Sequence, residues 1–207
     1  MKKLFIVLAG LLIAASASAQ LGISAGLTST ATSIKDAAKD IGNVNLFHAG
    51  LCYKIPLAGK VVTLQPGVIY NLKGTKFKEM ESVRDVNFEW KTGYIEVPVQ
   101  LQIGFGIADV VRIYGIAEPF AGIAIHNTVT ADGTTEKNTW DSFKQRLEWG
   151  ASLGAGVEFF KRVQVSVKYF WNFGNVFDGT FDGQDIASNF SSSKIGGISA
   201  SVAVLLF

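Results

Sequence analysis

The chain has 207 residues, of which 48% are hydrophobic and 17% are charged, and its formal net charge is +2. This length fits one domain. The low charge content, together with 15 Phe, 5 Tyr and 4 Trp, excludes an intrinsically disordered chain. Beyond the N-terminus no apolar run approaches the roughly 18 residues that a spanning helix needs, which disfavours a helical membrane protein. A β protein with an apolar surface fits this composition best.

The N-terminus has the features of a secretory signal peptide. Two lysines precede an apolar stretch over residues 4–15, and Ala17-Ser18-Ala19 forms an A-x-A cleavage site. We expect residues 1–19 to be removed, which leaves a single domain over residues 20–207. The residue after the cut is Gln20 and not cysteine, so a lipoprotein anchor is not indicated.

The exported chain carries balanced charge. Removal of the two N-terminal lysines leaves 17 basic residues against 17 acidic ones, so nucleic-acid binding has no electrostatic footprint. The single Cys52 cannot form an internal disulfide, and we interpret it as a small packed residue.

Apolar and polar side chains alternate with period two along most of the chain. The clearest segment spans residues 163–173, where Val165 and Val167 alternate with Ser166 and Lys168. Successive side chains of a strand point to opposite faces, so this pattern predicts a strand with one apolar face. The same period predicts eight strands, at about residues 21–28, 47–55, 62–73, 93–105, 111–126, 147–159, 163–173 and 198–206.

The connections between these strands alternate in length. Those after the second, fourth and sixth strands are short, whereas the others are long and polar, at about residues 35–44, 79–88, 127–141 and 175–192. Ser33 could cap a short helix in the first long loop. This rhythm predicts an up-and-down antiparallel sheet with tight turns at one end, long loops at the other, and both termini at the turn end.

Bulky residues share one face of the predicted strands and small residues share the other. Trp149, Trp171 and Phe47 lie on the apolar face, whereas glycines and short polar groups dominate the opposite face. An eight-stranded barrel has little room inside, so the small residues should point inward and the bulky ones outward to lipid. The sequence therefore predicts an all-β fold, an eight-stranded antiparallel up-and-down transmembrane β-barrel. A soluble barrel with its apolar face inward is the alternative.

The charges of the predicted inner face are nearly balanced in sign. Charges in a narrow interior persist only when they are paired, so we expect ion pairs across the barrel and negligible ion conductance. The expected members of this network are Lys54, Lys73, Glu96, Arg112, Glu118, Arg146, Glu148, Glu158 and Lys168. The residues expected to face lipid include Val97, Val99, Leu101, Val163, Val165, Val167 and Trp171.

Aromatic residues fall toward both ends of the predicted strands, as in the two aromatic girdles of membrane barrels. Those toward the loop end are Trp90, Tyr94, Trp140, Trp149 and Trp171, and those toward the turn end are Phe105, Phe159, Phe160 and Phe207. We expect the long loops to be extracellular and both termini to be periplasmic.

Two segments carry a family resemblance. Residues 94–99 (Tyr-Ile-Glu-Val-Pro-Val) and 150–158 (Gly-Ala-Ser-Leu-Gly-Ala-Gly-Val-Glu), with the signal peptide and the strand rhythm, resemble the PorT-like outer-membrane β-barrels of Gram-negative bacteria. The resemblance covers essentially the whole mature chain and implies assembly by the outer-membrane insertion machinery, for which a terminal aromatic such as Phe207 is a usual signal. Phe207 departs from the pattern, because its parity places it with Ser199 and Ser201 on the inner face. Members include a protein tied to secretion, but the resemblance implies no specific activity.

Two groups of residues could carry chemistry. His126, with Asp132 and Ser142 nearby in sequence, is a candidate triad for a lipid-modifying enzyme, whereas the simpler interpretation of His126 and His48 is that both are interface or loop residues. Residues 178–185 hold three carboxylates that could bind calcium, but their spacing differs from an EF-hand and Asp-Gly is also an ordinary turn signal. No zinc, phosphate-loop or dinucleotide motif is present, and we expect no cofactor.

These observations favour a monomeric outer-membrane barrel with a packed polar interior and a structural or surface-interaction role through four extracellular loops. Its expected partners are the lipid bilayer, the insertion machinery during assembly, and a surface or secretion-system protein. An accessory of secretion or transport and a lipid-modifying enzyme are the alternatives.

Overall fold

The chain forms eight long strands. The computed structural model describes residues 19–33, 41–42, 44–58, 61–81, 84–107, 110–131, 134–137, 143–173, 180–181, 184–185 and 194–206. The long strands are β1 (Gln20–Ser33), β2 (Val44–Ala58), β3 (Val62–Glu81), β4 (Arg84–Ile107), β5 (Val111–Ala131), β6 (Leu147–Phe159), β7 (Val163–Asn172) and β8 (Lys194–Leu205). Short strands at Ile41–Gly42, Thr134–Lys137, Thr180–Phe181 and Gln184–Asp185 and a 3-10 turn at Phe143–Arg146 complete the described elements. In these ranges no helix is long and apolar enough to span a membrane.

The eight strands close into a barrel. Each strand pairs antiparallel with the next one along the chain, and β1 pairs with β8 to complete the ring, with Ala25 opposite Val202. Closure gives each strand of the wall a hydrogen-bonded neighbour on both sides, as hydrocarbon requires of a spanning sheet. The prediction of an eight-stranded up-and-down antiparallel barrel is confirmed.

The side chains sort onto two faces. In β4, Val97 is 49% exposed on the outer face, whereas Glu96 is 4% exposed and points into the barrel. β7 repeats the alternation, with Val165 and Val167 exposed and Lys168 buried. The seven residues expected to face lipid all lie on the outer face, where Val99 and Val163 are half-exposed and the other five are exposed.

The three longest strands, β3, β4 and β5, continue into the segments predicted as long loops. β3 has 20 residues and β4 has 24, and they stay paired up to Glu81 opposite Arg84. The predicted loop at 79–88 is therefore wrong, because it is mostly a strand hairpin. β5 likewise continues to Ala131 and pairs with Thr134–Lys137 through part of the predicted loop at 127–141. Beyond the apolar band no single face needs to be apolar, so the alternation fades while backbone pairing continues.

The other two predicted long loops lie mostly outside the described residues. Ile41–Gly42 pairs with residues 76–77 of β3, and Thr180–Phe181 pairs with Gln184–Asp185. The helix predicted after Ser33 falls on residues outside the described ranges.

β5 contains a bulge near its loop end. Gly93 of β4 pairs with His126 and Tyr94 pairs with Ala124, so Ile125 is an extra residue. Such an insertion reverses which residues face inward. Ala124 and Asn127 are consequently buried while His126 is exposed, although an unbroken alternation would place His126 on the same face as Arg112 and Glu118.

The aromatic girdle prediction needs a correction at two residues. Trp90 and Tyr94 are buried inside the barrel, at 4% and 3% exposure, because they share the parity of Glu96 in β4. The remaining described members of the predicted girdles lie exposed on the outside, namely Trp149, Trp171, Phe105, Phe159 and Phe160. Trp140 and Phe207 lie outside the described residues.

Substitution of Val167 by arginine should destabilise the barrel, because its side chain lies near the middle of β7 on the outer apolar face. If that face contacts acyl chains, Val167→Arg should lower the free energy of unfolding by about 2–4 kcal/mol in lipid vesicles. Thr135→Arg, at an exposed position of Thr134–Lys137, is the matched control and should have little effect. Equal losses in both variants would contradict the lipid-facing assignment.

Candidate functional site: the ion-paired barrel interior

The turn end of the lumen is held by an ion pair between opposite walls. Lys54 of β2 places its Nζ 2.7 Å from both carboxylate oxygens of Glu158 of β6. β2 and β6 are four strands apart in the eight-strand ring, so this contact crosses the barrel. Gln164 donates to Glu158 Oε2 at 2.8 Å, and Arg112 Nη1 lies 3.9 Å from the same oxygen.

A second pair fills the middle of the lumen. Lys168 of β7 donates to both oxygens of Glu118 of β5 at 2.7 Å, and Ser152 Oγ donates to Glu118 Oε1 at 3.1 Å. Both charged side chains are buried. In a low-dielectric interior this pairing offsets a desolvation cost that neither charge could bear alone.

At the loop end one lysine serves two carboxylates. Lys73 Nζ lies 2.8 Å from Glu96 Oε1 and 3.0 Å from Glu148 Oε2. Its ammonium also lies over three aromatic rings, 4.5 Å from the centroid of Phe120, 5.1 Å from Phe170 and 5.4 Å from Tyr94. Ring faces attract cations, so this cage holds the ammonium away from water.

The ninth residue of the expected network, Arg146, lies outside the long strands. Arg146 lies in the 3-10 turn before β6, is half-buried, and donates through Nε to the carbonyl oxygen of Ala124 at 2.9 Å. The predicted alternation of β6 included Arg146, one residue before the strand begins. A side chain in a turn does not follow the alternation of a strand, so the pattern could not predict its direction. The structure thus places eight of the nine residues inside the barrel wall and Arg146 at its loop-end rim.

Large aromatic side chains inside the lumen were not predicted. Phe120 lies over Gly150 and Tyr114 over Gly156, and a Cβ added at these glycines would come within 2.4 Å of Phe120 and 2.6 Å of Tyr114. The glycines therefore provide the space that the rings occupy. The signal was present, because Tyr114 and Phe120 share the parity of Arg112 and Glu118 in β5.

A chain of polar contacts leads from His48 to Glu96 at the loop-end level. His48 lies 2.9 Å from Thr28 Oγ1 and 2.9 Å from Ser201 Oγ, and Thr28 donates to Asn71 Oδ1 at 3.0 Å. Asn71 in turn donates to Glu96 Oε1 at 3.0 Å. His48 is thus an interior residue, and the expectation that it is an interface or loop residue is wrong.

One cavity in the lumen is small. A cavity of about 30 Å³ lies between the middle ion pair and the loop-end ion pairs, and its lining includes His48, Lys73, Glu96, Glu118 and Lys168. This volume suits one or two water molecules rather than an organic ligand.

The candidate triad is not assembled by the described residues. His126 is on the outer face, where its Nε2 is hydrogen-bonded to the hydroxyl of Tyr70 at 2.7 Å. Asp132 and Ser142 lie outside the described residues, as do Asp178 and Asp182 of the calcium candidate. Among the residues that the structure describes, no cluster of three His, Cys, Asp or Glu side chains could hold a metal ion.

Comparison with known proteins gives one family. Residues 14–178 match the family described as outer membrane protein beta-barrel domain. No curated protein matches the chain.

Solved structures with a similar fold have low sequence identity. Neisserial surface protein A is 15% identical, with 91% of this chain and 99% of that chain covered and a TM-score of 0.45. Ail, the attachment invasion locus protein of Yersinia pestis, is 15% identical over 90% and 98% of the two chains, with a TM-score of 0.43. The outer membrane enzyme PagL is 12% identical over 89% and 99%, with a TM-score of 0.44. The assignment of the chain rests on the family match.

Removal of one partner of the middle pair should be strongly destabilising. Lys168→Met leaves Glu118 buried without its cation and should lower the free energy of unfolding by about 3–5 kcal/mol. The double variant Lys168→Met/Glu118→Gln should recover part of this loss in denaturant titrations, because no unpaired charge remains. A double variant less stable than Lys168→Met would contradict the pairing.

Proposed function

Because the chain belongs to the outer membrane protein β-barrel domain family, we propose that it is a monomeric, non-conducting outer-membrane barrel that presents its loop end for interaction at the cell surface. The observation that carries this proposal is the lumen crossed by ion pairs at three levels, through Lys54, Lys168 and Lys73. A lumen that is filled in this way supports a scaffold role over a transport role.

The interior supports the absence of a pore. An eight-stranded barrel is wide enough only for side chains, and water-filled channels are found in barrels of about 16 strands. The Lys54–Glu158 contact spans the full width of this lumen, and Arg112 donates to Gln102 at 2.9 Å beside it. Passage of an ion through this level would require separation of a buried pair, which is costly.

The loop end supports an interaction role. A spanning strand needs about 9–11 residues, and β7 has 10. β3, β4 and β5 have 20, 24 and 21 residues, so about half of each extends past the loop-end rim as a paired sheet. Rigid elements that carry loops are common positions for recognition. We assign this extension to the extracellular side, the tight turns and termini to the periplasm, and the outer face of β4 and β7 to contact with lipid.

We further propose that the chain is related to the PorT-like barrels. Residues 94–99 support it, since their Tyr-Ile-Glu-Val-Pro-Val alternation places Glu96 in the lumen and Val97 on the outer face. This relation favours a secretion-system protein as the partner of the extended sheet.

Planar bilayer recordings test the closed lumen. The folded protein should give negligible conductance because three levels of paired charge block the axis. Insertion should be verified by the heat-dependent mobility shift of folded barrels in detergent gels. A steady open-channel current from verified, folded protein would overturn the proposal.

Cysteine labelling in intact cells tests the assigned orientation. Lys137→Cys, at an exposed position on the extended sheet, should react with a membrane-impermeant maleimide. Lys161→Cys, in the exposed turn between β6 and β7, should react only after the outer membrane is permeabilised. The native Cys52 is buried and should give little background. The reverse labelling pattern would show that the loop end faces the periplasm.

A further inference from the structure

The loop-end ion cluster carries more negative than positive charge. We call Lys73, Glu96 and Glu148 the Lys73 cluster. Lys73 lies within 3.0 Å of both carboxylates, and the three residues are 3%, 4% and 2% exposed. If both carboxylates were ionised, two negative charges would share one ammonium in a site without bulk water.

The other groups that face the cluster are already engaged. On β2, His48 contacts Thr28 and Ser201. The Glu118 carboxylate of β5 is paired with Lys168 of β7. On β4, the Tyr94 ring lies 5.4 Å from Lys73 Nζ. Arg146, two residues before Glu148, donates to the Ala124 carbonyl.

One oxygen of the cluster has a distinctive position. Glu148 Oε2 accepts from Lys73 at 3.0 Å and from Asn172 at 2.7 Å, whereas no described residue donates a hydrogen bond to the buried Oε1 of the same carboxyl group. A Cβ built on Gly122 would lie 3.0 Å from Glu148 Oε1 and 2.9 Å from Glu96 Cγ. The unpartnered oxygen and the Glu96 side chain therefore lie close to the same point of the wall, at Gly122.

A bound proton accounts for both the excess negative charge of the cluster and the unpartnered Oε1 of Glu148. We propose that the Lys73 cluster binds one proton at neutral pH, carried on Glu148 Oε1 and directed toward Glu96, so that a neutral carboxylic acid and a carboxylate share the Lys73 ammonium. The proton turns Oε1 from an acceptor without a donor into a donor, and the cluster becomes electrically neutral. Two carboxylates that share one site resist double ionisation, and their titration belongs to the pair.

The rest of the lumen supplies matched controls. Glu118 has its own ammonium, Lys168, at 2.7 Å, and Glu158 lies near both Lys54 and Arg112. Each of these carboxylates has at least one cation that it does not share with another carboxylate of the lumen pairs. The glutamine variants Glu148→Gln and Glu118→Gln therefore differ in what they replace: the first mimics a neutral acid, whereas the second removes a paired charge.

Infrared spectroscopy detects the proton directly. The wild-type barrel in vesicles at neutral pH should show the carbonyl stretch of a protonated carboxylic acid. That band should be lost in Glu148→Gln and kept in Glu118→Gln. Glu96→Gln should also lose it, because Glu148 would then be the single carboxylate of Lys73. Absence of the band in the wild type would overturn the proposal without any variant having to fold.

Unfolding as a function of pH gives a second measurement. At neutral pH the glutamates of an unfolded chain have already lost their protons, whereas the folded barrel keeps this one. The free energy of unfolding must therefore fall as the pH rises. Between about pH 6 and pH 9 the wild-type unfolding constant should increase up to about tenfold per pH unit relative to Glu148→Gln. Glu118→Gln should keep the wild-type slope. Equal slopes in the wild type and Glu148→Gln would contradict proton binding by the cluster.

Discussion

The need to pair every charge inside a narrow lumen determines most of this structure. A carboxylate or ammonium taken out of water costs several kcal/mol unless an opposite charge and hydrogen bonds compensate it. Lys54 and Glu158 meet from opposite walls, Lys168 meets Glu118 in the middle, and Lys73 meets two carboxylates near the loops. Lys73 and Glu96 lie on the paired strands β3 and β4, but the other contacts connect strands that are not neighbours in the sheet. Those contacts stabilise the barrel where backbone pairing cannot.

The limited volume of the lumen is the second constraint on its side chains. Two of the large rings inside the barrel lie over a glycine of the neighbouring strand, Phe120 over Gly150 and Tyr114 over Gly156. Most bulky apolar residues are consequently on the outside, where Trp149 and Leu153 are exposed. An outer face of this kind is compatible with hydrocarbon, which agrees with the family to which the chain belongs.

Period-two alternation was sufficient to predict the strand number, the antiparallel order and the face of most side chains. It could not locate the bulge at Ile125, because one extra residue within an apolar segment leaves no visible mark in the sequence. It also missed the extension of β3 and β4, where alternation fades although pairing continues. Which glutamate meets which lysine depends on the stagger of the strands around the ring, so the alternation could predict the sign and the face of Lys54 but not its partner. Arg146 lies in a turn, where alternation does not predict the direction of a side chain.

A double-mutant cycle between Lys54 and Glu158 tests the central claim most directly. The unfolding free energies of Lys54→Met, Glu158→Gln and the double variant, measured in vesicles, give the coupling between two residues on opposite walls. A favourable coupling of about 0.5–3 kcal/mol is the result that a lumen braced by ion pairs predicts. Strict additivity of the two substitutions would show that the two charges do not act on each other, and it would contradict this account of the interior.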